Sequence, residues 1–588
     1  MNKTIKTLLP VLGFASFASC AEKAQQPNVL LILTDDQGWG DVGANGNRLI
    51  NTPTLDRLYS ESVVMNHFFV SPLSAPTRAS LLTGRYHLRT GVTSVSSGLE
   101  NMNPEETTLA ELFKDAGYAT GCFGKWHNGA YYPYSPLGQG FDTFLGFCCG
   151  HWPTYFDPPL QKDEEMFRGK GYITDIFTDA AINFIEKNRD KPFFCYVPYN
   201  APHSPFQVPD NYYNKYANIE AANADDQKKL ASIYAMVECV DANIARLLSK
   251  LDQLGIRENT IVIFMTDNGP THVVRYNGEM RGVKGTVHEG GVRVPCWINW
   301  KGKLKHAVIE GLAAHIDILP TLMDLCGISK YHTNFPVDGI SLKENILKGT
   351  DIPSGRSIFT HRLAAELFPW MGAVRTENQR LTIYPDNKPY LFDMTQDPSE
   401  KNDIFDASNP AHQALYDSYQ RWFESASKGV ALNTNIPVGY SQAPQVRIPT
   451  PEGKMFGHLK CYGFPNQNWV RHFQHKADSL TYTIDVVAPG SYEILLEFNH
   501  KGYNPQSTAF AFCNQQTLSI PVPEFISEFY PNNTRFDMGE APEKTWGRLS
   551  LGYVELTKGL HSLTIWAEGI PDDQTMEVKT VIINKKTQ

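Results

Sequence analysis

The chain has 588 residues, 42% of them hydrophobic and 20% charged, with a formal net charge of −9. That length is ample for a large buried core and too great for one ordinary domain. The acidic balance offers no global basic field to nucleic acid, and no internal apolar run approaches the roughly 20 residues that span a bilayer.

Lys3 and Lys6 precede an apolar stretch from Leu8 to Ala18, the pattern of a secretory signal. The stretch ends in Phe17-Ala18-Ser19-Cys20, where a cysteine resembles a bacterial lipobox. The expectation is a signal over residues 1–20 and an exported protein, periplasmic or held at an envelope membrane only through a lipid on Cys20. Phe17 departs from the usual aliphatic position, which leaves simple cleavage near Cys20 as the alternative. The other cysteines are scattered, several in apolar runs, and read as small buried hydrophobes; no CxxC pair offers a metal site.

Further along, Asn28 to Thr34 is a continuous apolar run that stops at Asp35-Asp36. Such a run reads as a strand buried on both faces of a parallel sheet. Phe193 to Val197 and Thr260 to Thr266 repeat the design and lead to Ala201-Pro202-His203 and Asp267-Asn268. Between them, apolar residues from Ile173 to Ile185 and from Leu230 to Leu251 recur at helical spacing. Strand and helix alternate, which predicts a doubly wound α/β domain over residues 27–345 with its ligands beyond the carboxyl ends of the strands. Residues 346–432 change to short segments: Arg380 to Tyr384 and Tyr390 to Asp393 read as antiparallel strands, and Ala411 to Ala426 as a closing helix. A Pro- and Gly-dotted stretch, 433–453, reads as a linker. Residues 454–588 carry alternating strands (Ser479 to Val487, Ser491 to Phe498, Thr508 to Cys513, Arg548 to Leu556, His561 to Glu568), which predicts a β-sandwich.

Five polar clusters carry the chemistry. Adjacent carboxylates such as Asp35-Asp36 repel, so burying them at a strand end calls for a cation. With Asp267-Asn268 they make an all-oxygen set suited to Ca²⁺ or Mg²⁺. Ser74-Ala75-Pro76-Thr77-Arg78 places a hydroxyl four residues before a guanidinium, and an unassisted serine is a poor nucleophile. Lys125 and His127, in Gly124-Lys125-Trp126-His127, sit two apart on an extended segment and point the same way. Histidine, as at His203, is the side chain best able to hand over a proton near neutrality. The loop Arg281 to Pro295 holds Lys284, His288, Glu289-Gly290-Gly291 and Arg293. Glu289 and Arg293 are expected to pair and shape the loop.

These segments, with Thr83-Gly84-Arg85, resemble the type I sulfatases of the alkaline-phosphatase-like superfamily over roughly residues 27–430. The resemblance implies an alkaline-phosphatase-like α/β fold with a small C-terminal antiparallel α+β subdomain. It implies that Ser74 is oxidised to formylglycine (3-oxoalanine) by a Ser-competent maturase. One Ca²⁺ per chain would be held by Asp35, Asp36, Asp267 and Asn268 alongside residue 74. Arg78, Lys125, His127, His203 and Lys284 would complete the catalytic set. The implied substrate is a sulfated oligosaccharide or polysaccharide, such as mucin or glycosaminoglycan fragments. His151, Trp152, Tyr155, His288, His361 and Arg362 are the candidate substrate contacts, and the sandwich is reminiscent of carbohydrate-binding modules. Two alternatives stand: a phosphatase, phosphodiesterase or phosphonate hydrolase of the same superfamily, which would bring histidine ligands and zinc, and an inactive glycan-binding protein.

Overall fold

The computed structural model describes residues 26–586 apart from 273, 363–366, 431, 433, 464–467, 503, 532–533, 536–538, 540 and 572–573. The segment expected as a signal, with Cys20, lies outside the described residues. Among the described residues, no helix is long and apolar enough to cross a membrane.

The apolar runs form the strands that their composition dictates. β1 (Asn28–Thr34) and β8 (Thr260–Thr266) are buried along their whole length, as is β7 (Phe193–Pro198). β1 pairs in parallel with both. Around them the sheet adds β2 (Val63–Phe69), β3 (Ala119–Lys125), β4 (Thr143–Phe147), β5 (Pro159–Lys162), β6 (Glu165–Arg168), β9 (Cys296–Asn299) and β10 (Ala307–Ala314). The strand order is β10-β2-β9-β8-β1-β7-β3-β4-β5-β6, parallel at its centre, with β9 and the outer hairpin β5–β6 antiparallel. Helices Ile173–Lys187 and Ala224–Gln253 bury one face on the sheet, and the two cores on either side of it are separate clusters. The doubly wound expectation holds. Asp35, Lys125, His203 and Asp267 all follow or end strands at the same edge, because each strand's apolar run ends there.

A second sheet of four antiparallel strands runs from Ile358–His361 through Gly372–Arg375 and Gln379–Ile383 to Pro389–Asp393, backed by the helix Pro410–Ser427.

The C-terminal part is two packed antiparallel-rich sheets with one core between them. Ser479–Val486 and Gly490–His500 alternate buried and partly exposed residues, the pattern of strands with one face on a core. The stretch 433–453, expected as a linker, instead supplies strands to both sheets. Ile436–Val438 pairs with Ser479–Val486, and Gln445–Pro449 pairs with Met576–Lys585. Its prolines sit where the ladder tolerates them, at edges and strand ends.

The sandwich is tied to the α/β unit by specific groups. Tyr131 inserts into the sandwich core, and its hydroxyl donates to Glu452 Oε2 at 2.5 Å. The rings of Tyr132 and Tyr440 lie 4.9 Å apart, and Arg535 Nη1 donates to the Val208 carbonyl at 2.9 Å. Burial, aided by the charge of Glu100, pushes the Glu452 carboxyl up to about 8 from an ordinary 4.5. The fold therefore holds the neutral acid. Stability from this group is complete at low pH and declines as the pH climbs from about 4.5 to about 8. The thermal midpoint of the full chain is expected to fall across that window, and Glu452→Gln to flatten part of the fall. Scanning calorimetry at several pH values measures both.

Candidate active site

Ser74 opens the helix Ser74–Thr83, every residue of which is buried. Its hydroxyl donates to Asp35 Oδ1 at 2.9 Å and lies 3.3 Å from Asn268 Oδ1. One turn on, Arg78 is fully buried; its Nη2 is 2.9 Å from Asp267 Oδ2 and 3.9 Å from Asp35 Oδ2, while Nη1 donates to the Lys125 carbonyl at 2.7 Å. The four-residue gap between serine and arginine is one helical turn, so one helix delivers both groups to the same edge of the sheet.

Asp35, Asp36 and Asp267 are fully buried, and so is Asn268. Lys125 Nζ reaches Asp35 Oδ2 at 2.5 Å, and Lys284 Nζ reaches Asp36 Oδ1 at 2.6 Å. Asp36 takes a left-handed backbone conformation (φ 65°); its N–H donates to Asp267 Oδ1 at 3.1 Å, and its Oδ1 accepts from Asn268 Nδ2 at 2.8 Å. Burial alone would raise the Asp35 carboxyl. Lys125, with His203, Arg78 and Lys284, overrides it and holds the group well below the usual carboxylate range. Asp267, desolvated and facing the charge of Asp35, is pushed up to about 7.

These carboxylates balance three cations, yet Asp36 Oδ2 is buried with no hydrogen-bond partner. Oxygens of Asp35, Asp36, Asp267 and Asn268 converge beside Ser74, and the donor set is hard and oxygen-based. It fits a Ca²⁺ ion, which would engage the unpartnered oxygen and offset the crowding that raises Asp267.

His203 Nδ1 is 2.7 Å from the Ser204 carbonyl, which fixes the proton there and leaves Nε2 facing Asp36 Oδ2 at 3.7 Å. Burial, then Lys284, pushes this imidazole down to about 3. The sequence reading left histidine out of the metal set. The fold nevertheless brings His203 together with Asp35 and Asp36 in a cluster able to hold an ion. His127 is close by for a different reason from the one expected. β3 ends at Lys125, and His127 is left-handed (φ 65°), its Nε2 at 3.0 Å from the Val95 carbonyl. Gly150 lies against it so closely that a Cβ there would come within 2.3 Å of Nε2.

The six substrate candidates scatter. His151 stands beside the centre, its ring 5.5 Å from that of His203. Trp152 stacks on Phe147 at 5.0 Å and faces away, toward the sandwich. The Tyr155 hydroxyl donates to the carbonyls of His203 and Ser204, so it fixes their loop. His288 is clamped between Glu400 at 2.5 Å and the Tyr384 hydroxyl at 2.8 Å. His361 is buried against the Tyr419 hydroxyl at 2.7 Å, and Arg362 is exposed beside it. The expected Glu289–Arg293 pair is loose at 3.8 Å. Glu289 binds Arg380 at 2.6 Å and Arg375 at 3.2 Å, arginines of the second sheet that no local motif announces. The sequence reading also missed the buried pair Arg275–Asp41 at 2.8 Å, whose partners lie too far apart in the chain for spacing to link them.

The sulfatase family model matches residues 27–328. The chain is 32% identical over 372 residues to the uncharacterized sulfatase YdeN of Escherichia coli K12, covering 54% of this chain and 65% of that protein. It is 29% identical over 453 residues to the N-acetylgalactosamine-6-sulfatase of Mus musculus, covering 66% and 84%. The crystal structure of Ps i-CgsB in complex with k-i-k-neocarrahexaose superposes with a TM-score of 0.62 at 28% identity, over 68% of this chain and 93% of that one. The chain belongs to the sulfatase family, a family of sulfuric ester hydrolases.

Removing Arg78 leaves Asp35 and Asp267 buried without their shared cation. Arg78→Met is expected to cost about 3–5 kcal/mol of stability, read by denaturant unfolding.

Proposed function

We propose that the protein hydrolyses sulfate esters on a sulfated glycan, with Ser74 oxidised to formylglycine and Ca²⁺ held by Asp35, Asp36, Asp267 and Asn268. The observation that carries the reading is the Ser74 hydroxyl, set among those oxygens at the head of its helix and ringed by Arg78, Lys125, Lys284 and His203. A sulfate ester is an anion that expels an alkoxide, so its barrier falls when fixed cations surround the sulfuryl oxygens.

In this scheme Lys125 and Lys284 bind sulfuryl oxygens with their ammonium groups. Arg78 keeps Asp267 and Asp35 ionised and in place. His203, once protonated at Nε2 as well as Nδ1, gives the Nε2 proton to the leaving oxygen; the negative charge of a bound ester opposes the burial and the Lys284 charge that suppress its proton affinity. His127 accepts a proton from residue 74 at the unpartnered Nδ1. The hydrated aldehyde supplies one hydroxyl to attack sulfur and a second to expel sulfate, which a plain serine lacks. Ca²⁺, when bound, adds positive charge at the ester and orients it.

The glycan assignment draws on the relatives: one is named for N-acetylgalactosamine 6-sulfate chemistry, and another was crystallised with an oligosaccharide. Export through residues 1–20 belongs to the same proposal. The phosphatase alternative would often bring zinc with extra histidine ligands, or an unmodified serine; among the described residues His203 is the one histidine grouped with these carboxylates.

Sulfate release from a panel of defined sulfated saccharides tests the reading, on protein whose residue-74 peptide shows the loss of two hydrogens by mass spectrometry. Ser74→Ala is expected to abolish release. Lys125→Ala and Lys284→Ala are each expected to lower kcat/KM by about 10²–10³. Chelation should remove activity and Ca²⁺ restore it. Phosphate release without sulfate release, or two zinc ions per chain, would overturn the assignment.

A further inference from the structure

The sandwich closes against the α/β unit around a cavity of about 530 Å³ that the reaction centre does not use. This volume falls within the range of about 300–1,000 Å³ typical of sites for small organic ligands. Its lining includes Trp152 and Arg168 from the α/β unit and Arg447, Tyr530, Lys544 and Trp546 from the sandwich. The residues 148–153 form a wall with two sides. Gly150 abuts His127 and His151 stands by His203, whereas Cys148, Trp152 and Pro153 face the cavity. The cavity therefore lies directly behind the reaction centre.

The lining combines flat rings with donors that lack acceptors. Trp152 is nine-tenths buried, and among the described residues its indole N–H has no hydrogen-bond partner; the same holds for the Trp546 N–H. A buried donor left unmade is costly, and an acceptor arriving in the cavity relieves it. Arg168 lies 3.3 Å over the Tyr530 ring and, among the described residues, pairs with no carboxylate. Arg447 and Arg548 share Glu497, at 2.6 and 3.8 Å. Lys544 and Lys579 both approach the Trp546 ring, at 4.5 and 5.8 Å, held by Glu577 and Glu543. With Glu164, five cations meet four carboxylates in a chain whose overall charge is −9. Aromatic faces stack on the apolar face of a sugar ring, guanidinium forks grip sulfate or carboxylate, and indole N–H groups donate to hydroxyls.

We propose that this interdomain cleft is a second saccharide site, which holds a stretch of anionic glycan outside the reaction centre. The inference rests on the glycan reading above, and its test keeps the two separable.

Full-length protein with the reaction centre silenced by Ser74→Ala and Lys284→Ala is run on native gels containing chondroitin sulfate, heparin, iota-carrageenan or neutral dextran. At least one sulfated polymer is expected to retard it, and dextran not. Adding Trp546→Ala with Arg447→Gln should weaken retention by about tenfold or more. Trp546→Phe, which keeps a ring and loses the N–H, should fall between, with an unchanged thermal midpoint. Retardation by none of the three sulfated polymers, or retardation that the cleft variants leave intact, overturns the proposal. Sulfate release by the unsilenced protein is scored separately. Release with an inert cleft sinks this inference alone; retention in the cleft without release sinks the sulfatase reading of substrate and spares the cleft.

Discussion

Everything at the working edge of the main sheet depends on one buried balance of charge. Asp35, Asp36 and Asp267 stand at the ends of β1 and β8, where water is excluded, and they persist there because Arg78, Lys125 and Lys284 meet them within ion-pair distance. The apolar strands create the problem they help to solve. A sheet interior of Leu, Ile and Val supplies the low dielectric that makes each charge expensive, and the same medium makes each pairing strong. Balanced in this way, the protein groups alone come close to neutrality. In the proposed reading a divalent cation would leave the site positive, the state suited to an anionic ester.

Holding that balance in place takes strain and support from outside the strands. Asp36 and His127 both adopt left-handed backbone, conformations that persist only where the surroundings over-determine them. Tyr155 secures the His203 loop through two carbonyls. The loop carrying Lys284 is gripped from the second sheet: Arg375 and Arg380 bind Glu289, and Glu400 binds His288. Here the small antiparallel sheet acts as a brace. Gly291 sits within this grip, where a Cβ would come within 2.3 Å of the Thr286 carbonyl.

The sandwich is more than an appendage. Tyr131 is shared with its core, Arg535 reaches the chain just beyond His203, and the cleft between the units backs directly onto the residue-148–153 wall. If the cleft holds glycan as proposed, binding far from sulfur would contribute to selectivity.

The central strands, the two long helices, the closing helix and most sandwich strands were legible from the sequence, because periodicity and apolar runs are local signals of burial. The gathering of the polar clusters at one edge of the sheet was legible too. Ser74 and Arg78 are one helical turn apart, and the acidic pairs mark the points where apolar runs stop, so short motifs already encode their local geometry. What the sequence could not assign were roles that depend on partners far along the chain. His361 and His288 looked exposed to substrate but are packed against Tyr419 and Glu400; Trp152 turned away from the centre into a cleft that exists only because residues 443–580 fold back on it. The stretch 433–453 looked like a linker because its strands are short and interrupted by prolines, and they gain their ladder bonds only from strands 40 to 140 residues later. Local pattern determined which residues must be buried and which carry charge; tertiary structure alone decided which charges meet, since Coulombic and hydrogen-bond partners are chosen by distance in space.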